Sequence, residues 1–262
     1  MEEILKVDGI NCGYGKKPVL KNISFSVKEG EIVGIIGPNG SGKTTLAKVI
    51  SRNLKPYSGY VYYKGKDIFK LHPILFSRQI AYLPSDFEIY FPYSVEEFVS
   101  MGRFPYTGRF GTLKKDDREA INESLHLLDI FNLKDRNVQE LSEGEKQRVF
   151  LAQVIAQQTP LLLLDEPVSH LDIGYKFSIM DLLKRLNKER GITVLIILHD
   201  LNLASEYCDR LILLHKGCIY KDGSPDEVLE YKIIEEVYET KVLVYKNPFT
   251  NRPYVFGIPE KI

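Results

Sequence analysis

A glycine-rich segment between a short apolar run and a helical pattern constrains the fold of this chain more than any other feature. Its residues are Gly37-Pro38-Asn39-Gly40-Ser41-Gly42-Lys43-Thr44, which match the spacing GxxxxGK[ST]. The run before it, Ile32–Ile36, is continuously apolar and short, as in a buried parallel strand. A helix is expected from about Gly42 to Arg52. Glycines let backbone N–H groups approach an anion closely, so this strand, loop and helix predict a phosphate site. The alternative is a glycine-rich turn without a ligand, which the full spacing and both flanks disfavour.

Strand patterns elsewhere in the chain predict an α/β fold. The segment 19–27 has largely period-two character, and 58–63 and 79–83 are further strand candidates. Apolar strands are also expected at 161–164, 193–198 and 210–214, separated by helical segments. Such alternation predicts a mostly parallel sheet with right-handed crossovers.

The pattern is helical from Phe87 to about Gln158. Ser94-Val95-Glu96-Glu97 is a capping box that starts a short helix, and Lys115 to Leu128 predicts a longer amphipathic one. Ser224-Pro225-Asp226-Glu227 combines a capping box with proline at the first helical position, so a further helix is expected to start near Pro225. The helical segment from Phe87 to about Gln158 is predicted to be an insertion in the sheet domain rather than an independent domain.

Two adjacent acids follow four leucines at 161–164. A strand ending in a carboxylate at the C-terminal edge of the sheet is expected to bring Asp165 beside the phosphate loop, where it can hold Mg²⁺ or its water. Glu166 is placed to polarise an attacking water. Lys43 would reach the β- and γ-phosphates, and the Thr44 hydroxyl would ligate Mg²⁺. The alternative is that the two acids only end a strand and cap a helix.

A second anion site is indicated just before that strand, in Leu141-Ser142-Glu143-Gly144-Glu145-Lys146-Gln147-Arg148. Ser142 and Glu145 have the spacing of a capping box, so Ser142 could serve only as an N-cap. A helix N-terminus also attracts anions. The two interpretations are compatible.

Composition excludes several classes of protein. The chain has 262 residues, with 44% hydrophobic and 27% charged residues, as in an ordinary globular protein. Lys+Arg and Asp+Glu are both 35, so no broad electrostatic footprint for nucleic acid is expected. Three dispersed cysteines without a CxxC pair are typical of a reducing cytosol. We expect neither a signal peptide nor a membrane-spanning segment, so a protein of this kind working at a membrane would be held there by another chain.

Together with His199, these motifs resemble the ATP-binding subunits of ABC transporters over nearly the whole chain. The resemblance implies the P-loop ABC-ATPase fold, an α/β fold with a mostly parallel sheet core, an N-terminal antiparallel β subdomain and an inserted helical subdomain. It implies an ATPase domain at 1–240, with the helical subdomain at about 86–158, and a short C-terminal extension at 241–262. It also implies ATP and Mg²⁺ as cofactors.

The resemblance implies a role for each matching residue. Nucleotide-binding residues are Tyr14, Gly37, Asn39, Gly40, Ser41, Gly42, Lys43, Thr44, Thr45, Ser142, Gly144 and Asp172, and Mg²⁺ ligands are Thr44, Asp165 and Ser85. Glu166 and His199 are the catalytic pair, with His199 sensing the γ-phosphate. Tyr14 is similar to the aromatic residue that stacks on adenine, a contact worth on the order of 1–3 kcal/mol.

In this family the site is completed by a second copy of the chain. Ser142 and the Gly144 N–H would contact the γ-phosphate bound by the partner, and Asp172, in a loop similar to the dimer-contact loop, would cross to it. The resemblance therefore implies a homodimer that closes on ATP.

Two departures from the family pattern affect this site. Glu143 replaces the first of two adjacent glycines, and we expect its carboxylate to point to solvent. Ser85 ends Tyr82-Leu83-Pro84-Ser85 where the family typically has glutamine, and a serine hydroxyl reaches about two bonds less far. Gln79 lies before the strand and is not expected to substitute. We predict weaker ATPase coupling without loss of ATP binding.

Other segments resemble a particular group of importers. The runs from Glu96 to Tyr106, from Ser169 to Tyr175 and from Asn251 to Val255 are similar to importers of iron(III)-siderophores, haem and vitamin B12. The resemblance implies polytopic permease subunits as partners and, indirectly, a substrate-binding protein. It implies a peripheral position on the cytoplasmic face of the membrane. The segment between Ser85 and Phe110 would form the groove for a permease helix, although its apolar residues could also be plain core.

Other functions stay open at this stage. A soluble ABC protein of DNA repair or translation would carry a coiled-coil insertion or tandem cassettes, and neither pattern is visible. An ATP-gated dimerisation module with weak hydrolysis is suggested by Ser85 and opposed by Glu166 and His199. A GTPase is disfavoured because Asn187-Lys188-Glu189-Arg190 lacks the acid of a guanine-reading motif. The transported substrate cannot be inferred.

Overall fold

The computed structural model describes residues 2–87, 89–107, 111–169 and 171–259. The strands, in chain order, are β1 (Glu3–Tyr14), β2 (Lys17–Lys28), β3 (Ile32–Ile36), β4 (Ser58–Tyr63), β5 (Lys66–Asp67), β6 (Ile80–Leu83), β7 (Leu161–Asp165), β8 (Thr193–Ile197), β9 (Arg210–His215), β10 (Cys218–Gly223), β11 (Val242–Lys246) and β12 (Pro253–Gly257). The α-helices are α1 (Lys43–Ile50), α2 (Pro73–Ser77), α3 (Val95–Ser100), α4 (Phe104–Thr107), α5 (Lys115–Leu127), α6 (Glu143–Ala156), α7 (Ile173–Arg190), α8 (Leu201–Tyr207), α9 (Pro225–Val228) and α10 (Tyr231–Tyr238). Single 3-10 turns lie at Ile68–Lys70, Met101–Arg103, Phe131–Leu133 and Val138–Glu140.

The chain forms two compact units. One contains Met1–Lys70 and Thr193–Ile262, and the other contains Leu71–Ile192. The first unit therefore holds the N-terminal strands, the phosphate loop and the C-terminal third, and the second holds most of the helices.

The first unit contains antiparallel and parallel strand pairs. β1 pairs with β2 and β4 in antiparallel fashion, and β5 extends this sheet from β4. In a second set, β3 lies parallel to both β8 and β9, and β10 adds an antiparallel edge to β9. All five residues of β3 and all five of β8 are buried, as expected for central parallel strands with both faces covered. β11 and β12 form a separate hairpin.

The second unit contains the parallel pair β6 and β7 together with helices. β7 is buried throughout its length. Helices α3 and α5 pack against α6, and their apolar side chains, including Val99, Leu125 and Leu151, are fully buried. The burial pattern identifies this helical layer as a hydrophobic core of its own.

A buried ion pair ties this helical layer together. Arg103 Nε donates to Asp117 Oδ1 at 2.9 Å, and both side chains are 5% exposed. Arg103 Nη1 also donates to Ala156 O at 2.8 Å, and its guanidinium lies 4.0 Å from the Tyr106 ring centroid. Burial acts to raise the pKa of Asp117, but hydrogen bonds from the Lys114 backbone and from Arg103 outweigh it and lower that pKa.

The three predicted capping boxes are confirmed. Ser94, Ser142 and Ser224 are the N-caps of α3, α6 and α9, and the backbone N–H of each donates the reciprocal bond to the carboxylate of a glutamate three residues later. Pro225 occupies the first turn of α9. These ends are determined locally, which explains why they could be predicted without tertiary information.

The predicted strands and helices also agree with the structure to within a few residues. The expected helix at 42–52 is α1, the expected helix at 115–128 is α5, and the apolar strands are β7, β8 and β9. The sequence patterns did not predict β10 or the β11–β12 hairpin. In the described part of the chain, no helix combines the length and apolar character needed to cross a bilayer.

Candidate functional site

The phosphate loop has the backbone of an anion cradle. Gly37, Gly40 and Gly42 have φ values of 146°, 76° and 107°. A Cβ on Gly37 would lie 2.2 Å from Leu214 O, and one on Gly42 would lie 2.6 Å from Leu20 Cδ2. Gly40 has no atom within 4 Å of such a Cβ, so its open side can receive a ligand. The glycines are therefore required by conformation and close packing, and they leave one face of the loop uncovered.

Helix α1 begins directly after this loop without compensation of its N-terminal dipole. Its N-cap, Gly42, supplies no side-chain cap, and no acid lies in the first turn. Lys43 is 4% exposed, and its Nζ donates to Gly37 O at 2.8 Å and to Pro38 O at 3.1 Å. A buried cation, a helix N-terminus without a side-chain cap or an acid in its first turn, and an open glycine fit a polyphosphate.

His199 is brought to the same edge of the sheet as the phosphate loop. β3 and β8 run parallel with Ile35 opposite Ile197, and Leu198 N–H donates to Ile35 O at 3.2 Å. Since the loop follows β3 and His199 follows β8, both lie at the carboxyl ends of adjacent strands. His199 is exposed. This arrangement places an imidazole where it can face a bound phosphate.

Tyr14 lies at the end of β1, in the antiparallel sheet of the same unit. Its ring is 50% exposed, and the turn after it is held by a hydrogen bond of 2.8 Å from the Tyr57 hydroxyl to Gly15 O. An exposed aromatic ring at a constrained turn can stack on a planar ligand.

The second unit assembles the predicted acids and Ser85. β6 and β7 are parallel with Leu83 opposite Leu164, so Ser85, two residues after β6, and Asp165, the last residue of β7, lie at one sheet edge. Asp165 is fully buried. Carboxylate and hydroxyl oxygens are ligands that Mg²⁺ accepts, so this edge fits a role in holding the ion.

Glu166 adopts an unusual backbone conformation. Its φ is +56°, which is rare for a residue with a long side chain. Its carbonyl accepts hydrogen bonds from Ser169 N at 3.2 Å and Ser169 Oγ at 2.9 Å, which hold the turn. Such strain costs on the order of 1–3 kcal/mol and concentrates at functional sites.

The Ser142 hydroxyl is already engaged within its own helix. Ser142 Oγ lies 2.7 Å from Glu145 Oε2, to which it donates, and Ser142 N–H donates to the same oxygen at 2.8 Å. The bonds from the Ser142 side chain and backbone lower the pKa of Glu145. Ser142 is exposed, so an external anion can reach its hydroxyl. To bind that anion, the hydroxyl would have to give up its hydrogen bond to the Glu145 carboxylate.

The structure also shows the surroundings of Glu143, Gly144 and Asp172, the other residues predicted for the second anion site and the dimer contact. Glu143 is 74% exposed and its Oε1 lies 2.8 Å from Lys146 Nζ, so it points to solvent as predicted. Gly144 lies against Leu171, which a Cβ would approach to 3.4 Å. Asp172 is exposed and caps α7 by accepting from Tyr175 N at 3.0 Å.

Sequence patterns did not predict two contacts that the phosphate loop makes. The Tyr238 hydroxyl bonds to the Gly37 backbone, and Gly217 N–H donates to Ser41 O at 3.2 Å. No motif marks either residue, because the contacts depend on how the C-terminal third folds back. His170 and 108–110, which belong to predicted loop and groove segments, lie outside the described residues.

This geometry defines a P-loop nucleotide-binding protein. Residues 20–169 match the family model described as ABC transporter. The chain is 38% identical to the iron(3+)-hydroxamate import ATP-binding protein of Bacillus subtilis, with 95% of this chain and 93% of that protein covered. It is 36% identical to the ferric enterobactin transport ATP-binding protein of Escherichia coli, with 96% and 93% covered. A solved dimeric bacterial ABC transporter cassette has a TM-score of 0.77 at 30% identity, with 84% and 98% covered.

The chain belongs to the ABC transporter family. It has the ABC-ATPase fold, and it is an ATP-binding subunit with ATPase activity.

Proposed function

We propose that this chain powers the import of a metal chelate, such as an iron(III)-siderophore, haem or cobalamin, by closing as a homodimer on ATP and Mg²⁺. The observation that carries the nucleotide part is the phosphate loop, with buried Lys43 and an open glycine at the start of α1. The metal-chelate part is supported by the two similar import ATP-binding proteins, which cover almost the whole chain.

Each residue of the proposed site has one task. Lys43 and the N–H groups from Gly40 to Thr45 neutralise the phosphates, and Tyr14 stacks on the base. Thr44 would ligate Mg²⁺ at the phosphate loop, and Asp165 and, with a shorter reach, Ser85 would be its ligands from the second unit; bound Mg²⁺ would supply charge neutralisation for the β- and γ-phosphates. Glu166 accepts a proton from the attacking water, and His199 donates a hydrogen bond to the γ-phosphate.

The homodimer is proposed because the N-terminus of α6 offers an anion site that faces solvent. Ser142 is exposed at the N-terminus of α6, and Gly144 gives close backbone approach beside it. Asp172 is exposed at the start of α7. The dimeric cassette of similar structure supports the same arrangement.

A groove for the permease is proposed in the second unit. A cavity of about 470 Å³ is lined by Phe87, Ile89, Tyr90, Gln139, Glu143, Lys146 and Phe150. Tyr90 is 76% exposed. Aromatic walls with a charged rim fit an amphipathic helix of a membrane subunit, which would hold the chain at the cytoplasmic face of the membrane.

Trapping the closed state tests dimerisation. Glu166→Gln removes the proposed base and keeps the size of the side chain, so it should bind ATP, hydrolyse it slowly and elute as a dimer in light-scattering chromatography. The matched control, Glu166→Gln with Lys43→Ala, should stay monomeric with ATP. A Glu166→Gln protein that stays monomeric at saturating ATP would refute the closure proposal.

The role of Ser85 is tested by Ser85→Gln. The longer amide reaches further toward the Mg²⁺ ligands, so steady-state ATPase activity should rise while the affinity for ATP stays close to that of the wild type. An unchanged turnover rate would show that Ser85 does not limit hydrolysis.

Cargo is tested by adding a membrane partner. Co-expression of the chain with a polytopic permease should give ATP-dependent uptake of a ⁵⁵Fe-hydroxamate chelate, and Lys43→Ala should abolish uptake. Uptake of labelled cobalamin in place of the iron chelate would assign the second cargo class. Uptake of neither would contradict the metal-chelate proposal and leave the ATPase assignment intact.

A further inference from the structure

The C-terminal third of the first unit holds the phosphate loop at both of its ends. At the start of the loop, the phenol oxygen of Tyr238 accepts a hydrogen bond from Gly37 N–H. Near its end, Gly217 N–H, in the turn between β9 and β10, donates to Ser41 O at 3.2 Å. Both contacts come from residues outside the phosphate-loop motif.

Gly37 is confined by these neighbours. Its φ of 146° and the approach of Leu214 O, 2.2 Å from where a Cβ would lie, leave the backbone little room on the β9 side. The Tyr238 hydroxyl satisfies its N–H, which is buried with the residue. A buried N–H without a partner is costly, so the phenol oxygen stabilises this one conformation of the loop entrance.

Apart from this hydroxyl, the side of the phosphate loop that faces α10 borders a cavity. A cavity of about 280 Å³ is lined by residues 38–41 of the loop, by His215 and Lys216, and by residues 237–239. The loop can therefore shift into open space once the hydroxyl bond is lost. Burial raises the pKa of Tyr238 to about 12, while the bond from Gly37 acts in the opposite direction, so the phenol is neutral at physiological pH.

The helix that carries Tyr238 is itself firmly anchored. Ile234 and Val237 on α10 are buried, and Val242 N–H donates to Glu235 at 3.1 Å. Tyr220 on β10 also bonds to Glu236 of the same helix through its hydroxyl. Tyr238 thus extends from a fixed support.

We propose that Tyr238 is a positioning residue for ATP binding, which keeps the phosphate loop in its binding-competent conformation through Gly37. If only a fraction of loops is competent, the apparent affinity for ATP falls by that fraction. Bound phosphates hold the loop by themselves, so turnover at saturating ATP does not need the tyrosine. The signature of this role is a raised KM with an unchanged kcat.

The test compares Tyr238→Phe with Tyr220→Phe in the full chain. Each change removes one phenol hydrogen bond and keeps the ring, but only Tyr238 contacts the loop. Tyr238→Phe should raise the ATP KM, and the Kd of a fluorescent ATP analogue, by about 2- to 12-fold, the range expected from one lost hydrogen bond. Tyr220→Phe keeps the buried Ile234 and Val237 and the bond from Val242 to Glu235, so α10 stays anchored and both values should match those of the wild type.

A second measurement keeps the proposal falsifiable if Tyr238→Phe is less stable. Hydrogen exchange of the peptide around Gly37 should accelerate in the ligand-free variant and return to the wild-type rate with saturating ATP. A wild-type KM and exchange rate in Tyr238→Phe would overturn the proposal. So would a lowered kcat with unchanged KM, which is the result of a purely structural role, or an equal rise of KM in both variants.

Discussion

Replacing Ser142 with alanine separates its two roles, which are to cap α6 and to make the proposed contact with the phosphate bound by the partner. Ser142 Oγ accepts from Glu145 N–H at 3.4 Å and donates to Glu145 Oε2 at 2.7 Å, and both bonds are lost in Ser142→Ala. The chain contains its own matched controls. In the box at Ser94 the corresponding distances to Glu97 are 3.2 and 2.9 Å, and Ser224 Oγ lies 2.8 Å from Glu227 Oε2.

The stability cost of Ser142→Ala and Ser94→Ala should therefore be similar, whereas Ser224→Ala should cost no more, because the Ser224 side chain accepts no cap bond from the α9 backbone. Loss of an N-cap serine typically costs about 1 kcal/mol, and the bond from the serine backbone N–H to the glutamate remains at 2.8 Å in the boxes at Ser142 and Ser94 and at 2.7 Å in the box at Ser224. For a chain of this size, about 1 kcal/mol lowers Tm by roughly 2–4 °C. Ser142 is exposed, and Ser94 and Ser224 are half-buried, so removing the hydroxyl leaves no enclosed cavity in any of the three variants.

Function should distinguish the three variants. Thermal unfolding should show similar shifts for Ser142→Ala and Ser94→Ala, and a shift no larger than these for Ser224→Ala. Steady-state ATPase activity, and ATP-dependent dimer formation in the Glu166→Gln background, should fall only for Ser142→Ala. One lost bond to a charged phosphate is worth about 1.5–3 kcal/mol, or roughly 10- to 150-fold in dimer affinity. If Ser142→Ala retains the activity of Ser94→Ala, Ser142 is an N-cap and nothing more.

Three further predictions test the buried ion pair of the helical layer and the packing of the phosphate loop. Arg103→Met leaves the Asp117 carboxylate buried and should cost about 3–5 kcal/mol, whereas Arg103→Met with Asp117→Leu should recover most of that loss; denaturant unfolding of both variants measures it, and an equal loss in the double variant contradicts the ion-pair argument. Because the folded pKa of Asp117 is lowered, its contribution is present above the unfolded pKa of about 3.9 and is lost as pH falls through the folded value, so Asp117→Asn should flatten the acid limb of stability. Gly37→Ala should cost about 1–3 kcal/mol more than Gly40→Ala, because only Gly37 is overpacked by a Cβ; ATP affinity should fall in Gly40→Ala without a matching loss of Tm, and equal Tm values would refute the packing difference.

Much of the candidate site could be predicted because its motifs are local. The three capping boxes, the buried strand before the loop and the glycines at positive φ each depend on residues a few positions apart. The exposure of Glu143 was predictable for the same reason, since its partner Lys146 lies on the next turn of the helix. The β11–β12 hairpin was not predicted, although β11 begins with four apolar residues in a row.

The sequence by itself determined that this chain binds a polyphosphate and to which family it belongs, because strand, loop and helix follow one another without interruption at the phosphate site. Only the tertiary structure decided how that loop is supported. Parallel pairing of β3 with β8 brings His199 to the loop edge, and the return of α10 brings Tyr238 to Gly37. Such contacts join segments far apart in the chain, and their formation depends on which faces pack together. The spacing of apolar residues along a single strand or helix does not indicate which distant segment will pack against it.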